Sequence, residues 1–167
     1  MERIVDSKKQ AILAGVIAQE KNGKDISIVN FEGISALYDY VVIVSAYSTR
    51  ETKALAQEID IVFKNTNPPR RMCQGMESGF WILLDYGDIV VHVFAENGRE
   101  MPKRRGLRPV AFNKKEDNDA NYRKFYDLDS LWEDIPKLEF EGTDEAEEMK
   151  KKYQEILAEI NSKRQRE

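Results

Sequence analysis

The sequence feature that most constrains the fold is the stretch from Phe80 to Phe94, in which two apolar runs flank the polar turn Asp85-Tyr86-Gly87-Asp88. Two such runs around a turn that contains glycine are typical of a β-hairpin, and Gly87 can adopt the positive φ that a tight turn requires. We expect Asp85 to face Asp88 in this hairpin, which places Trp81 opposite His92.

Side chains alternate between the two faces of a strand, so the hairpin divides into two sets. One set is wholly apolar and comprises Phe80, Ile82, Leu84, Ile89, Val91 and Val93. The other set comprises Trp81, Leu83, Asp85, Asp88, Val90 and His92. Because both sets are largely apolar, we expect the hairpin near the centre of a sheet that is covered on both sides.

Periodic patterns on either side of the hairpin predict the remaining elements. Capping boxes at Ser7 and Ser48, with Gln10 and Glu51 three residues later, predict two helix starts. Helices are predicted over residues 8–21, from residue 48 to before Pro68, over residues 128–132 and from residue 143, and further strands over residues 26–31, 38–46 and 70–74. This order predicts an α/β fold (mixed α+β) in which a mixed β-sheet is flanked by helices. The last helix either packs back on the domain or pairs with a partner.

A chain of 167 residues has the length of one domain, or of one domain with an appendage. We divide it into an α/β domain over residues 1–135, with a basic insertion at about 96–124, and a C-terminal helical extension over residues 136–167. The net charge is −4, yet residues 99–124 carry nine Lys or Arg against four Asp or Glu. That segment is either an electrostatic footprint for a phosphate backbone or a solvated loop.

The sequence also limits where the protein resides and what its thiol can do. No apolar run approaches the ~20 residues that a membrane-spanning helix needs, and the first six residues lack the apolar core of a signal peptide. We therefore expect a cytoplasmic protein. Cys73 is the single cysteine, so no internal disulfide can form. Its side chain is either small and buried or a reactive thiol.

Several of these segments match a known family in sequence and in order. They include a Trp-x-x-x-Asp-x-Gly-Asp-x-x-x-His run from Trp81 to His92 and a Tyr-x-Leu-x-x-Leu-Trp box from Tyr126 to Trp132. Shorter matching segments lie at residues 25–29, 38–43 and 48–50. On these residues the chain resembles the ribosomal silencing factor family, also called Iojap-like or RsfS, over residues 8–133 with one interruption.

The resemblance implies a nucleotidyltransferase-like fold without an enzymatic activity, a catalytic residue or a cofactor. It further implies a translational repressor that binds ribosomal protein fourteen of the large ribosomal subunit and sterically blocks association with the small subunit. Members of the family are often homodimers when free. This chain departs from the family pattern by about 25 residues between Glu96 and Arg123, and by the long helix after Glu141.

We predict a partner-binding set drawn mainly from the hairpin: Trp81, Asp85, Tyr86, Arg50, Asp39 and His92. Trp81 is either core filling or an interface hot spot, because Trp, Tyr and Arg concentrate binding energy. Tyr86 lies at the predicted hairpin tip, where we expect it to be exposed. His92 is either a hydrogen-bonded structural histidine or, paired with Trp81, a partner contact. Asp39 is either a cap or a contact.

The basic insertion supplies candidates for contact with ribosomal RNA beside the protein contact: Arg104, Arg105, Arg108, Lys114 and Lys115. This hypothesis depends on local charge alone. Its signature is an affinity that falls steeply with salt, by ~0.7 to 0.9 log units per phosphate contact per log unit of salt. A plain RNA-binding module built on the same segment is a further alternative.

The main alternative is a nucleotide-binding or nucleotidyl-transferring enzyme of the same fold. Such an enzyme needs a Gly-Ser turn for phosphate and paired carboxylates that hold metal ions. The segment Ser45-Ala46-Tyr47-Ser48 lacks the glycine, and Asp127 and Asp129 open a predicted helix, where carboxylates favour the helix dipole. The lone histidine and cysteine form no metal-ligand cluster. We therefore predict no catalytic and no metal site.

Overall fold

A five-stranded mixed sheet organises the protein, which a computed structural model describes at residues 4, 6–66, 72–96 and 127–167. The strands are β1 (Lys24–Asn30), β2 (Tyr40–Ala46), β3 (Met72–Gln74), β4 (Trp81–Asp85) and β5 (Ile89–Ala95). The helices are α1 (Ser7–Glu20), α2 (Thr49–Thr66), the short α3 (Leu128–Leu131) and α4 (Asp144–Arg166). The predicted α/β class with a mixed sheet is confirmed.

The strand order is β1-β2-β5-β4-β3, so β5 is the central strand. β2 and β5 run parallel, and every other neighbouring pair is antiparallel. All seven residues of β2 are buried. The predicted central position of the hairpin is therefore confirmed for β5, and β4 lies directly beside it.

The predicted register of the hairpin is wrong by two residues. Asp85 pairs with Val90 rather than with Asp88, and Trp81 pairs with Phe94 rather than with His92. The cause is a turn that lies one residue further along the chain, because the Tyr86 N–H donates to the Ile89 carbonyl at 3.0 Å and leaves Gly87, with φ +93°, and Asp88 as the loop. An even shift leaves every side chain on its predicted face, because the side-chain period of a strand is two.

Helices cover one face of the sheet in two layers. α1 and α2 pack directly on the strands, and α4 packs across α1 and α2 on the outside. The main apolar core lies between these helices and the sheet. Of the predicted apolar set of the hairpin, Phe80 is buried outside this cluster, and the cluster contains Ile82, Leu84, Ile89, Val91 and Val93. All five of these side chains are fully buried.

The other face of the sheet is covered by the segment that contains α3. Leu128, Trp132 and Ile135 pack on a small second core over β1, β2 and the end of β5. Phe31 connects them to the sheet, since its ring meets the Trp132 ring edge-on at 5.3 Å. Among the residues that the structure describes, the expected cover on the second face is therefore present over part of the sheet only.

The C-terminal segment contacts the domain through β1, through α1 and through the main core. These contacts decide whether the last helix packs on its own domain or pairs with a partner. Asn30 N–H donates to the Pro136 carbonyl and Leu138 N–H to the Ile28 carbonyl, each at 2.8 Å, so this segment extends the sheet beyond β1. Phe140 then packs on α1 where Gly15 leaves room. The apolar stripe of α4 joins the main core, so the helix packs back on its own chain.

The two predicted capping boxes differ in outcome. α1 is capped by Asp6, which accepts hydrogen bonds from the Lys8 and Lys9 N–H groups, and Gln10 instead donates to the Ile4 carbonyl at 2.7 Å. The predicted Ser7 cap is therefore wrong. At α2, Ser48 Oγ accepts the Glu51 N–H as predicted, and the Glu51 carboxylate accepts the N–H of Tyr47.

Candidate functional site

Trp81 begins β4 and is half-buried on the sheet face that α3 covers only in part. Its ring stacks on Phe94, the cross-strand neighbour, with centroids 5.2 Å apart and planes 22° apart. Its Nε1–H donates to Nδ1 of His92 at 2.9 Å. The indole is thereby held at both its ring face and its polar edge.

His92 lies on β5 with only 8% of its surface exposed. Burial lowers the pKa of His92 to about 4, because desolvation disfavours the charged imidazolium. The ring is therefore neutral near pH 7, and since Nδ1 accepts a hydrogen bond, the proton belongs on Nε2. The structure places His92 as a hydrogen-bonded histidine of the sheet, one of its two predicted roles.

The sheet face around Trp81 includes a set of residues that are only partly buried or exposed. We call it the open face and define it by Met72, Gln74, Trp81, Leu83, Asp85 and Val90. Met72 pairs with Asp85 and Gln74 with Leu83, so the β3 residues share the face of their β4 partners. Met72 is 41% exposed. The surface is mainly apolar, with one carboxylate near the hairpin turn.

Tyr86 is not at an exposed tip, contrary to the prediction. Only 4% of its surface is exposed, and its ring packs against Phe63 of α2 with centroids 4.6 Å apart. Its hydroxyl donates to Asp60 Oδ1 at 3.2 Å. Tyr86 therefore belongs to the core between hairpin and helix, and it has no surface to offer a partner.

Arg50 and Asp39 lie near opposite ends of the open face. Arg50 is exposed in the first turn of α2, and that turn is fastened near Trp81 because Thr52 Oγ1 donates to the Gly79 carbonyl at 2.5 Å. Asp39 precedes β2, and its N–H donates to the Asp88 carbonyl at the hairpin turn. The fold thus spreads the predicted binding residues along the strands instead of gathering them at one point.

Comparison with known proteins decides the family. The family model described as "Ribosomal silencing factor during starvation" matches residues 5–102. The chain belongs to the ribosomal silencing factor family. It is 30% identical to the ribosomal silencing factor RsfS of Bacillus subtilis over 125 residues, which span 74% of this chain and 85% of the relative. It is 29% identical to that of Halalkalibacterium halodurans over 130 residues, 78% and 91% of the two chains.

A solved structure shares the fold. The crystal structure of a Chromobacterium violaceum protein superposes with a TM-score of 0.60 at 25% sequence identity, and it covers 77% of this chain and 88% of its own. The matched family region contains the sheet and its two inner helices, whereas α3 and α4 lie beyond residue 102. The departure from the family at the C-terminal helix stays a prediction, because the match ends at residue 102, well before that helix begins.

The start of α2 bears on the alternative of a nucleotide-binding enzyme in this silencing-factor fold. A helix N-terminus can bind phosphate through its free N–H groups. At α2, a carboxylate of the chain itself lies in the first helical turn: Glu51 accepts the Tyr47 N–H at 3.0 Å, just before the helix begins. Asp127 caps α3 by accepting the Ser130 N–H, as expected for a carboxylate at a helix start.

Two kinds of feature are absent from residues 4, 6–66, 72–96 and 127–167, the part of the chain that the structure describes. In those ranges, no group of three or more His, Cys, Asp or Glu is placed to hold a metal ion. In the same ranges, no helix is both long and apolar enough to cross a membrane. The predicted RNA contacts Arg104, Arg105, Arg108, Lys114 and Lys115 lie outside the described residues.

Sequence reasoning assigned Leu83 and Val90 to the face of Trp81 but missed two contributors. Phe94 supports the Trp81 ring from β5, and its parity along the strand, two residues after His92, already placed it on that face. Met72 extends the face onto β3. A three-residue strand is too short for its alternation to be recognised in the sequence.

Proposed function

We propose that this silencing factor is a translational repressor that binds the large ribosomal subunit through ribosomal protein fourteen. Binding there blocks association with the small subunit by steric exclusion. Membership of the family supports the silencing role. Exclusion requires a rigid surface and no catalytic residue or cofactor, so we propose that the protein is not an enzyme and that it acts in the cytoplasm.

The observation that carries this proposal is the open face with Trp81 at its edge. A half-buried tryptophan on a rigid strand resembles an interface hot spot, because aromatic anchors with fixed geometry lose little conformational entropy on binding. Leu83 gives it an apolar neighbour two residues along β4, and Val90, which pairs with Asp85, adds an apolar side chain at the other end of the same face. Helices fill the opposite face of the sheet, so the docking surface is supported from behind.

We assign roles by position on this surface. Trp81 and Leu83 are the apolar anchors, and Asp85 is a charged contact at the margin near the turn. Arg50 and Asp39 extend the contact beyond the two ends of β4, which are about 13 Å apart at ~3.3 Å per residue. Tyr86 is excluded from this set because it is buried.

The basic insertion at about 96–124 adds a second contact in this proposal, to ribosomal RNA beside the protein partner. Its five candidate residues then contribute a salt-dependent part of the affinity, whereas the apolar anchors contribute a part that salt changes little. Removal of residues 99–124 is expected to flatten the salt dependence and retain binding to the large subunit. Binding to naked ribosomal RNA with no preference for the large subunit would instead favour a plain RNA-binding module.

The experiment is co-sedimentation with purified large and small subunits across a salt series, followed by a subunit-joining assay. We expect binding to large subunits only, and less joining when the protein is present. Asp85→Asn removes the charge and keeps an acceptor for the Gly87 N–H, and it is expected to weaken binding. Glu155→Gln, the same loss of charge on the exposed side of α4, serves as the matched control. Equal binding of both subunit types, or none at any salt, would contradict the proposal.

The resemblance also implies a homodimer in the free state, and we propose that such a dimer dissociates before docking. Light scattering of the free protein measures its mass directly. A dimer that persists on the large subunit at a ratio of two chains per subunit would contradict this order of events.

A further inference from the structure

The Trp81 indole is fixed at two independent points within the sheet. Phe94 supports its ring, and His92 accepts its N–H at 2.9 Å. We infer that His92 is a positioning residue of the docking surface, which holds Trp81 so that a partner meets the ring carbons of the indole and not its N–H. This inference rests on the proposed function, because it assumes that the open face docks a partner.

The direction of the hydrogen bond follows from the chemistry of the two side chains. The indole N–H can only donate, so Nδ1 of His92 must be the unprotonated nitrogen that accepts it. An imidazolium has no acceptor nitrogen and could not hold the indole in this way. Burial of His92 keeps the ring neutral at the pH at which the protein works.

An indole that is already fixed before docking improves the affinity, because no side-chain conformational entropy of Trp81 is lost on binding. Trp81 is half-buried, and a half-exposed side chain without such a bond loses rotamer freedom when a partner orders it. That loss corresponds to roughly a threefold to tenfold weaker affinity for one large side chain. Because His92 holds the indole in the free protein, this loss of rotamer freedom occurs when the chain folds and not when the partner binds.

The bond also determines which partner chemistry fits at Trp81. Since the N–H is already satisfied inside the sheet, the exposed part of the indole offers carbon atoms only. Leu83, two residues further along β4 on the same face, is apolar as well. The partner therefore presents an apolar side chain to this spot and places its hydrogen-bonding groups elsewhere.

The first test follows the indole proton itself. The Trp132→Phe variant leaves Trp81 as the single tryptophan, so one indole N–H signal is seen by NMR. We expect its hydrogen exchange to be at least tenfold slower than that of a free indole. Exchange as fast as in free tryptophan would overturn the inference in a protein that is fully folded.

The second test uses two replacements of His92 in the co-sedimentation assay. His92→Phe keeps an aromatic ring and removes the acceptor, and we expect threefold to tenfold weaker binding to large subunits together with faster indole exchange. His92→Asn retains an acceptor near the Nδ1 position, and we expect it to recover most of both losses. Equal behaviour of the two variants would show that the acceptor has no role.

A double-mutant cycle separates positioning from direct contact. Trp81→Phe removes the N–H, so adding His92→Phe to it is expected to weaken binding by less than twofold further. A persistent loss in the Trp81→Phe background would mean that His92 contacts the partner itself, which overturns the inference. Absence of binding by the unsubstituted chain would contradict the proposed function, whereas binding that His92→Phe leaves unchanged would contradict this inference alone.

Discussion

The two faces of the sheet differ in what covers them, and adjacent residues of one strand show the difference. Leu84 points to the helices and is fully buried, while Leu83 points to the open face and is half-buried. The helix side is sealed by α1, α2 and α4, whereas the other side is covered by the α3 segment over only part of its area. Over the described residues, one face is thus fully covered, and the other keeps apolar side chains that are only partly buried.

Two aromatic residues of the hairpin, Tyr86 and Trp81, also lie on opposite faces of the sheet. Tyr86 extends the alternation of Ile82 and Leu84, so it points to the helix side and packs on Phe63. Trp81 has the opposite parity and lies half-buried on the open face. Position along the strand, and not distance from the turn, determines which of the two can meet a partner.

The largest expected effect is the difference in stability lost when each of the two leucines of β4 is replaced by alanine. Leu84→Ala is expected to lower the free energy of unfolding by about 2 to 5 kcal/mol, since it leaves a cavity in the sealed core. Leu83→Ala removes a side chain that is only partly buried, so the expected loss is smaller, about 1 kcal/mol. Urea unfolding measures both values. Similar losses at the two positions would refute the distinction between the faces.

A second effect concerns His92 and pH. Burial lowers the pKa of His92 in the folded protein to about 4, below its ordinary value of 6.5. As pH falls from 6.5 to 4, the unfolded chain therefore binds a proton that the folded chain does not, so stability falls over this range and is fully present above it. The expected loss is about 3 kcal/mol, at ~1.4 kcal/mol per pH unit.

The control for this effect is the His92→Phe variant, because carboxylates titrate in the same pH range in both proteins. The difference in unfolding free energy between the two is expected to shrink as pH falls from 6.5 to 4. A difference that stays constant with pH would show that His92 titrates normally in the folded state.

A smaller effect is expected at Tyr86. Tyr86→Phe removes the hydroxyl that donates to Asp60 but keeps the ring on Phe63, so the expected loss of unfolding free energy is about 1 kcal/mol. Binding to large subunits should not change, because the residue is buried on the helix side. Weakened binding in a variant of normal stability would place Tyr86 back among the contacts.

The sequence was sufficient for the faces of the hairpin but not for its register. Alternation assigned Ile82 and Leu84 to the core and Trp81 to the other side, and a shift of two residues left those assignments intact. The turn around Gly87 decides the register, and its residues fit a two-residue loop at Tyr86 and Gly87 as well as the loop that forms at Gly87 and Asp88. Extending the alternation by one step would have buried Tyr86.

Elements that depend on distant contacts were harder to predict. The stripe of α4 shows that the helix buries one face, but no local pattern specifies α1 as its partner. That pairing depends on Gly15, which admits Phe140, and on ion pairs such as Lys8 with Glu145 at 2.9 Å. The incomplete cover of the sheet likewise follows from where the α3 segment crosses, which a strand pattern does not contain.

The most direct test of the account compares Trp81→Ala with Tyr86→Phe in co-sedimentation with large ribosomal subunits, with thermal unfolding of both variants measured in parallel. The account predicts that Trp81→Ala weakens binding at least tenfold while the protein remains folded, since a hot-spot residue contributes 2 kcal/mol or more. It predicts unchanged binding for Tyr86→Phe. Full binding by a folded Trp81→Ala variant would show that the open face is not the docking surface.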